Sequence, residues 1–159
     1  MRLILFFSAA ICLLFACEVK VSTDTGTPDV KVSLPIEGTW ELLSGTLIEK
    51  GDTTVTDYTK GKKFIKVING THFSFVGHDL NNGKDSATAF FTAGSGTYTL
   101  TDSTYTEHLE FCLDRAWENH DFRFTVTITN DTLVQSGVEV VEATGVNRLN
   151  IEKYVRAKK

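Results

Sequence analysis

The stretch FRFTVTIT, residues 122–129, alternates apolar and polar side chains without a break. One face carries the apolar side chains Phe122, Phe124, Val126 and Ile128, whereas an arginine and three threonines occupy the other. Because successive side chains of a strand point to opposite faces, this pattern predicts a β-strand with one buried and one solvated face. Such half-buried strands are typical of antiparallel sheets, so the stretch decides the fold class.

The turn after this stretch sets the register of the next strand. Asn130 and Asp131 are turn residues, and they lead into a further strand predicted at residues 132–137. A two-residue turn at this position pairs Val126 with Gln135. Gln135 is therefore expected on the apolar face.

A second turn is predicted at Asn69-Gly70, because both residue types tolerate the positive φ of a type I′ turn. This turn joins strands predicted at residues 63–68 and 71–78, and it pairs Lys66 with Phe73. The pairing puts four side chains on one face: Phe64, Lys66, Phe73 and Phe75. The opposite face also contains apolar side chains, so the buried face of this hairpin stays open.

Strand-like segments separated by short turns make up most of the remaining chain. They lie at residues 86–93, 96–101, 104–113, 138–143 and 149–155. In total, about eight to ten short strands follow one another without a long crossover. A closed barrel hides the edges of such strands most completely, so we predict an all-β, antiparallel up-and-down β-barrel.

Residues 114–121 interrupt the strand pattern. Asp114 can cap a single helical turn that carries Trp117, at one mouth of the predicted barrel. The segment would then act as a lid over the interior. The alternative is an ordinary connector between two strands.

The chain begins with a short apolar run, residues 3–16, that follows Arg2. The run is shorter than the roughly 20 apolar residues that span a bilayer, and its layout is that of a cleaved secretory signal. It ends in LFAC, residues 14–17, which resembles the lipobox of bacterial lipoproteins. We therefore expect a lipoprotein signal peptide at residues 1–16 and lipidation of Cys17. A plain signal peptide cut at the same place is the alternative.

Residues 17–35 contain both prolines and many small polar residues without periodicity, which favours a flexible tether. The barrel domain is then predicted at residues 36–157. Removal of the signal would take away Arg2 and make the net charge of −4 one unit more negative. This acidic balance argues against a nucleic-acid partner, and it offers no attraction to an anionic membrane, so a lipid would provide membrane attachment.

The tripeptide GTW, residues 38–40, resembles the Gly-x-Trp signature of the lipocalins and the wider calycin superfamily. Three further motifs are similar to the lipocalin-like domain lipoproteins of Gram-negative bacteria: THF at 71–73, GTYTL at 96–100 and YTEH at 105–108. The resemblance implies a barrel in which the tryptophan closes one end and a late arginine packs across it. It identifies Gly38, Trp40 and Arg156 as these closure residues, with Arg148 as a less favoured arginine. It leaves the ligand open, because one fold hosts many functions.

Six side chains are expected to line the barrel interior as a candidate ligand site: Phe73, Phe75, Tyr98, Tyr105, Glu107 and Gln135. In its strand the apolar set is Tyr105, Leu109 and Phe111, which places Glu107 on the same face. A mostly apolar lining with a few polar groups is typical of a small-molecule site. Glu107 either orients a ligand, with Lys66 as a possible partner, or belongs to a hydrogen-bond network in a filled core.

No residue pattern in the chain is typical of an enzyme, so we predict a non-enzymatic protein without metal or cofactor. The leading hypothesis is a lipid-anchored barrel that binds a small, partly apolar molecule in the cell envelope of a Gram-negative bacterium. The alternative is a filled barrel that serves as an interaction or structural module beside an envelope protein. The expected location is the outer membrane, or the periplasm or exterior if the signal is a plain one. A void of a few hundred cubic ångströms would favour ligand binding.

Overall fold

The computed structural model describes residues 33–158. The predicted signal peptide, Cys17 and all but the last three residues of the predicted tether lie outside this range. Nine strands make up most of the described chain: β1 Gly38–Glu49, β2 Asp52–Asp57, β3 Lys62–Ile68, β4 His72–Asp79, β5 Phe91–Thr101, β6 Thr104–Cys112, β7 His120–Thr129, β8 Thr132–Val141 and β9 Val146–Arg156. Single 3-10 turns lie at Arg115–Trp117 and Glu142–Thr144. No helix within the described range is long and apolar enough to cross a membrane.

The sheet closes on itself through β1. One edge of β1 pairs antiparallel with β9, where Trp40 lies opposite Arg156, and the other edge pairs with β3, where Trp40 lies opposite Lys66. Each following strand pairs antiparallel with its neighbour in sequence, which gives an eight-stranded up-and-down barrel. The remaining strand, β2, forms a hairpin with the second half of β1. The predicted all-β closed barrel is confirmed, and its strand number lies within the predicted range.

Several predicted strand boundaries differ from the structure. The sequence predicts a strand from residue 86, but β5 begins at Phe91. The buried carboxylate of Asp79, the last residue of β4, holds residues 80–90 as a loop. It accepts hydrogen bonds from the backbone N–H groups of Gly83 (2.8 Å) and Phe90 (3.1 Å). β5 and β8 are each continuous where the sequence predicts two separate strands, and β9 begins at Val146, three residues before the predicted start.

The turn between β3 and β4 is not the predicted type I′ turn, since neither Asn69 nor Gly70 has a positive φ. Instead, the side-chain Oδ1 of Asn69 accepts hydrogen bonds from two backbone N–H groups, at 2.8 and 2.9 Å. β3 and β4 consequently pair two residues away from the predicted register, with Lys66 opposite Phe75. A shift of two residues preserves the faces, so both side chains still lie on the inner face.

The turn between β7 and β8 does have the left-handed conformation of a type I′ turn, with φ of 48° at Asn130 and 59° at Asp131. Val126 lies opposite Gln135, which confirms the predicted register. Gln135 is buried on the inner face as a result.

A β-bulge reverses the two faces near the end of β6. The register steps from Gly96 opposite Leu109 to Ser95 opposite Phe111, so β6 contains one extra residue at this point. Phe111 therefore points outward and is 64% exposed, whereas Cys112 faces the interior. The prediction that Phe111 shares the inner face with Leu109 is wrong, because simple alternation fails at a bulge.

Trp40 and Arg156 lie together at one end of the barrel. Trp40 is fully buried, and its indole N–H donates a hydrogen bond to the carbonyl of Ile36 at 2.7 Å. The guanidinium of Arg156 donates to the carbonyls of Glu37 (2.8 Å) and Pro35 (2.9 Å). Through these hydrogen bonds, the segment that precedes β1 is held across the closed end of the barrel.

Candidate functional site

A cavity of about 510 Å³ occupies the barrel interior and opens at the end opposite Trp40. Its mouth is bordered by Phe91 at the start of β5, Leu113 just after β6, and Trp117 in the connector to β7. Phe91 and Leu113 are mostly exposed, so the cavity can be reached from solvent.

The connector between β6 and β7 is fixed at this mouth by hydrogen bonds. Asp114 caps the helical turn by accepting a hydrogen bond from a backbone N–H within it at 3.1 Å, which confirms the predicted cap. Glu118 accepts hydrogen bonds from the backbone N–H of Cys112 (3.0 Å) and from Nε of Arg115 (2.8 Å). Trp117 therefore lies in the cavity wall on an anchored segment.

Aromatic rings form part of the cavity wall. Phe64 stacks on Phe75 with ring centroids 5.6 Å apart, and it meets Tyr58 edge-on at 5.8 Å. Phe90, in the loop before β5, contacts Tyr58 with a centroid distance of 6.1 Å. Rings of this kind offer a large apolar surface to a bound molecule.

Lys66 is buried at the floor of the cavity, with 2% of its surface exposed. Its ammonium forms an ion pair with Glu107 and donates a hydrogen bond to Oε1 of Gln135 at 3.0 Å. The same ammonium lies over three aromatic rings, measured to their centroids: Phe73 (5.4 Å), Tyr105 (5.4 Å) and Tyr154 (5.8 Å). The carboxylate and the rings together offset part of the cost of burying a cation.

Glu107 lines the cavity beside this cation. Burial raises the pKa of its carboxyl, and the positive charge of Lys66 opposes that rise. The buried Tyr105 hydroxyl lies near Glu107 without a well-formed hydrogen bond to any described residue, and burial raises the pKa of this phenol.

A second carboxylate, Glu152, lies next to this group. Its Oε2 accepts hydrogen bonds from Nε2 of Gln135 and from the hydroxyl of Tyr154, both at 2.7 Å. Burial, followed by the charge of Glu152, raises the pKa of Tyr154, so the phenol stays protonated and acts as the donor. Glu152 is thus held by neutral donors, in contrast to Glu107.

Arg148 and Glu139 form a second ion pair in the cavity lining, with Nε 2.8 Å from Oε2. Asn150 donates a hydrogen bond to the other oxygen of Glu139 at 2.8 Å. Burial raises the pKa of Glu139, and the charge of Arg148 opposes that rise. The guanidinium carbon of Arg148 also lies 5.1 Å from the ring centroid of Trp117, so this arginine belongs to the mouth and not to the closed end.

The predicted interior residues fall into three groups. Three of the six line the cavity: Phe75, Glu107 and Gln135. Phe73 and Tyr105 are buried around the ammonium of Lys66, below the cavity floor. Tyr98 packs against Tyr105 with ring centroids 5.2 Å apart, and its hydroxyl donates to the carbonyl of Asn69 at 2.7 Å. Tyr98 therefore lies towards the closed end and does not line the cavity.

Sequence alternation does not identify the polar lining that β9 contributes. Residues 149, 151 and 155 are apolar and favour the odd-numbered face as the inner one. The structure instead points the even-numbered side chains inward: Arg148, Asn150, Glu152 and Tyr154. The sequence does contain one indication of the inner face. Every second residue of a strand lies on the same face, so if Arg156 points inward, these four residues do as well.

The chemistry of the lining suits non-covalent recognition. Among residues 33–158, no cluster of His, Cys, Asp and Glu has the arrangement of a metal site. Cys112 lies on the cavity wall, and burial raises the pKa of its thiol, which favours the less reactive protonated form. Paired charges and neutral donors under an aromatic wall can bind a molecule with an apolar body and a polar group.

The chain matches no protein-family model and no curated protein. Its eight-stranded closed antiparallel barrel is compatible with a lipocalin-like fold. A shared architecture does not specify a ligand, so the candidate site rests on its own geometry.

Proposed function

We propose that this protein is a lipid-anchored, lipocalin-like barrel of a Gram-negative cell envelope that binds a small, partly apolar molecule. The observation that carries the proposal is the cavity of about 510 Å³, which falls within the roughly 300–1,000 Å³ of ligand pockets in proteins. Its lining combines aromatic rings with several polar and charged side chains, which can bind a molecule that has an apolar body and a polar group. The open mouth gives a ligand a route to the interior.

The alternative is a filled barrel that acts as an interaction or structural module beside an envelope protein. A filled barrel requires a core packed to ordinary interior density, in which voids larger than a water molecule are few. A cavity of this size therefore favours ligand binding over the filled barrel.

In this proposal a lipid on Cys17 attaches the protein to the membrane. The acidic balance of the chain gives no attraction to an anionic lipid surface, so attachment would depend on the acyl chains. The barrel would act at the outer membrane by binding alone, with neither a metal nor a cofactor.

A matched pair of tryptophan variants tests whether the cavity binds a ligand. Cys112 lines the cavity, whereas its neighbour Phe111 points outward. Cys112→Trp therefore fills part of the cavity, and Phe111→Trp adds an indole at the outer surface. The full-chain proteins are titrated with phenylnaphthylamine, a neutral dye that fluoresces in apolar surroundings.

We expect saturable dye binding to the wild type and to Phe111→Trp, and binding at least about tenfold weaker to Cys112→Trp. Circular dichroism spectra of the three proteins establish that the barrel is intact in each. Equal affinities of the two variants would contradict binding in the cavity. A wild type that binds no dye would favour the filled barrel.

A further inference from the structure

We infer that the ligand of this cavity carries a positive charge and that its ammonium group binds beside Glu152. The inference rests on the proposed function and names the chemical class of its ligand. That class is an amine or quaternary ammonium joined to an apolar body of one or two rings.

The ionisable residues in the cavity lining carry an excess of negative charge. Four are acidic and two are basic: Glu107, Asp114, Glu139 and Glu152 against Lys66 and Arg148. Both basic residues are already matched, Lys66 by Glu107 and Arg148 by Glu139. Of the other two acids, one caps the helical turn at the rim, and Glu152 is the one that no cation of the described residues neutralises.

Glu152 is held in place without being neutralised. Gln135 and Tyr154 both donate to its Oε2, while its Oε1 accepts no hydrogen bond from the part of the chain that the structure describes. The side chain is partly exposed and lines the cavity, so a ligand can reach it. A carboxylate fixed by two neutral donors is preorganised to accept a charge-assisted hydrogen bond from an ammonium.

Aromatic rings next to Glu152 add a second contribution. Tyr154 lies two residues further along on the same face of β9, and its ring centroid is 6.5 Å from that of Phe64. Gly45 lies opposite Glu152 in the β1–β9 pairing, and a Cβ at Gly45 would lie 3.4 Å from the Tyr58 ring, so this ring is also close to the carboxylate. A cation beside Glu152 would therefore lie near several ring faces, and cation–π attraction would add to the ion pair.

An anionic ligand would be disfavoured in this cavity. The two basic residues already have carboxylate partners, so a ligand carboxylate would have to displace one of these or add a negative charge near Glu152. Like charges repel strongly where the surroundings have a low dielectric constant. A cation instead brings the charge of the cavity closer to zero.

Three compounds that share one apolar body and differ in charge test this inference: naphthylmethylamine, naphthylmethanol and naphthylacetate. Calorimetric titration of the full-chain wild type at neutral pH should give the amine an affinity at least about tenfold above that of the alcohol, and the acid the lowest. The inference is overturned if the alcohol or the acid binds as tightly as the amine. In that outcome the cavity still binds a ligand and the proposed function stands. If none of the three binds while phenylnaphthylamine does, the inference fails and the proposed function stands; if the dye does not bind either, both fail.

Two glutamate variants locate the ammonium. Glu152→Gln removes the charge and keeps an oxygen that can accept from Gln135 and Tyr154. The control Glu142→Gln removes one charge from an exposed turn that does not line the cavity. We expect Glu152→Gln to weaken amine binding about tenfold without affecting the alcohol, and Glu142→Gln to change neither.

An unchanged amine affinity in Glu152→Gln would overturn the assignment to this carboxylate. An equal loss for the amine and the alcohol would also overturn it, since the effect would then not depend on ligand charge. The comparison of the three compounds uses the wild type, so it decides the ligand class even if a variant does not fold.

Discussion

The guanidinium carbon of Arg156 lies 4.2 Å from the centroid of the Trp40 ring. The two residues face each other in the β1–β9 pairing, so their contact lies where the first and last strands close the barrel. The same guanidinium donates hydrogen bonds to the carbonyls of Glu37 and Pro35. Arg156 thus contacts both the Trp40 ring, where the barrel closes, and the segment that precedes β1. We expect Trp40 and Arg156 to be energetically coupled.

Substitution of both residues measures this coupling. Trp40→Ala removes a fully buried indole and should lower the free energy of unfolding by about 3–5 kcal/mol. Arg156→Ala should cost less, because the arginine side chain is 31% exposed. The double variant should cost less than the sum of the two, since either change alone already removes the contact. Urea denaturation gives all three values, and strictly additive costs would contradict the coupling.

Alanine substitutions of two glycines at the closed end should have opposite effects on stability. Gly38 has a φ of 140°, and a Cβ there would collide with Nη1 of Arg156, so Gly38→Ala should destabilise the barrel by more than about 1 kcal/mol. Gly70 lacks a positive φ, and a Cβ there would approach Glu37 no closer than 3.8 Å. Gly70→Ala should be neutral or stabilising by up to about 1 kcal/mol. Thermal unfolding compares them, and a large cost at Gly70 would instead support a type I′ turn.

The barrel can be predicted from the sequence wherever one face of a strand is clearly apolar, as in residues 122–129. Turn chemistry is less decisive. At Asn130-Asp131 the backbone has the left-handed conformation that the residues allow. At Asn69 the side chain accepts hydrogen bonds from the backbone instead, and this local competition moves the turn.

The candidate site is predictable only in part, because alternation shows which residues share a face but not which face is inner. Glu107 and Gln135 can be identified from the sequence, since their neighbours on the same face are apolar. The bulge in β6 turns Phe111 outward, and it leaves no clear mark in the sequence. Glu152 lies among polar residues that face inward, while the apolar residues of its strand favour the other face. Burial of so many polar groups depends on partners from other strands.

Asp79 is expected to stabilise the loop before β5 only when it is ionised. Hydrogen bonds from backbone N–H groups lower the pKa of its carboxyl below the ordinary 3.8, and the largest contributions come from Gly83 and Phe90. A group whose pKa is lower in the folded state contributes stability above its unfolded pKa and loses it as the pH falls through the folded value. Asp79→Asn should therefore lower Tm at neutral pH and have little effect in stronger acid. The exposed Asp52→Asn should leave Tm unchanged, and an equal loss for Asp79→Asn at both pH values would contradict a role for the charge.

Cys17 lies outside the described residues, and its lipidation stays a prediction from the sequence. Mass spectrometry of the mature protein should show an acylated N-terminal peptide that begins at Cys17. Cys17→Ser should move the protein from the membrane fraction to the soluble one, whereas Cys112→Ser should remain with the membrane. A mature N-terminus at another residue would exclude this anchor, as would a Cys17→Ser protein that still sediments with membranes.

Lys66 and Glu107 form an ion pair that is almost entirely buried, with 2% and 7% of the two side chains exposed. Lys66→Met removes the cation, keeps a side chain of similar length and leaves Glu107 without its partner. Because breaking a buried pair leaves an uncompensated charge, we expect a loss of about 3–5 kcal/mol at neutral pH. Burial raises the pKa of Glu107 and Lys66 limits that rise, so the pKa should be higher still in the variant.

The loss in Lys66→Met should depend on pH in a defined direction. A carboxyl whose pKa is raised in the folded state binds a proton more readily there than in the unfolded chain, so its contribution to stability falls as the pH rises above the unfolded value of 4.5. Lys66→Met should therefore be closest to the wild type in acid and furthest from it at neutral pH. The double variant Lys66→Met/Glu107→Leu should recover most of the loss and its pH dependence should disappear, because no buried charge remains unpaired. Urea titrations at both pH values measure these differences. A double variant no more stable than Lys66→Met would mean that the loss comes from packing against the aromatic rings and not from the unpaired carboxylate.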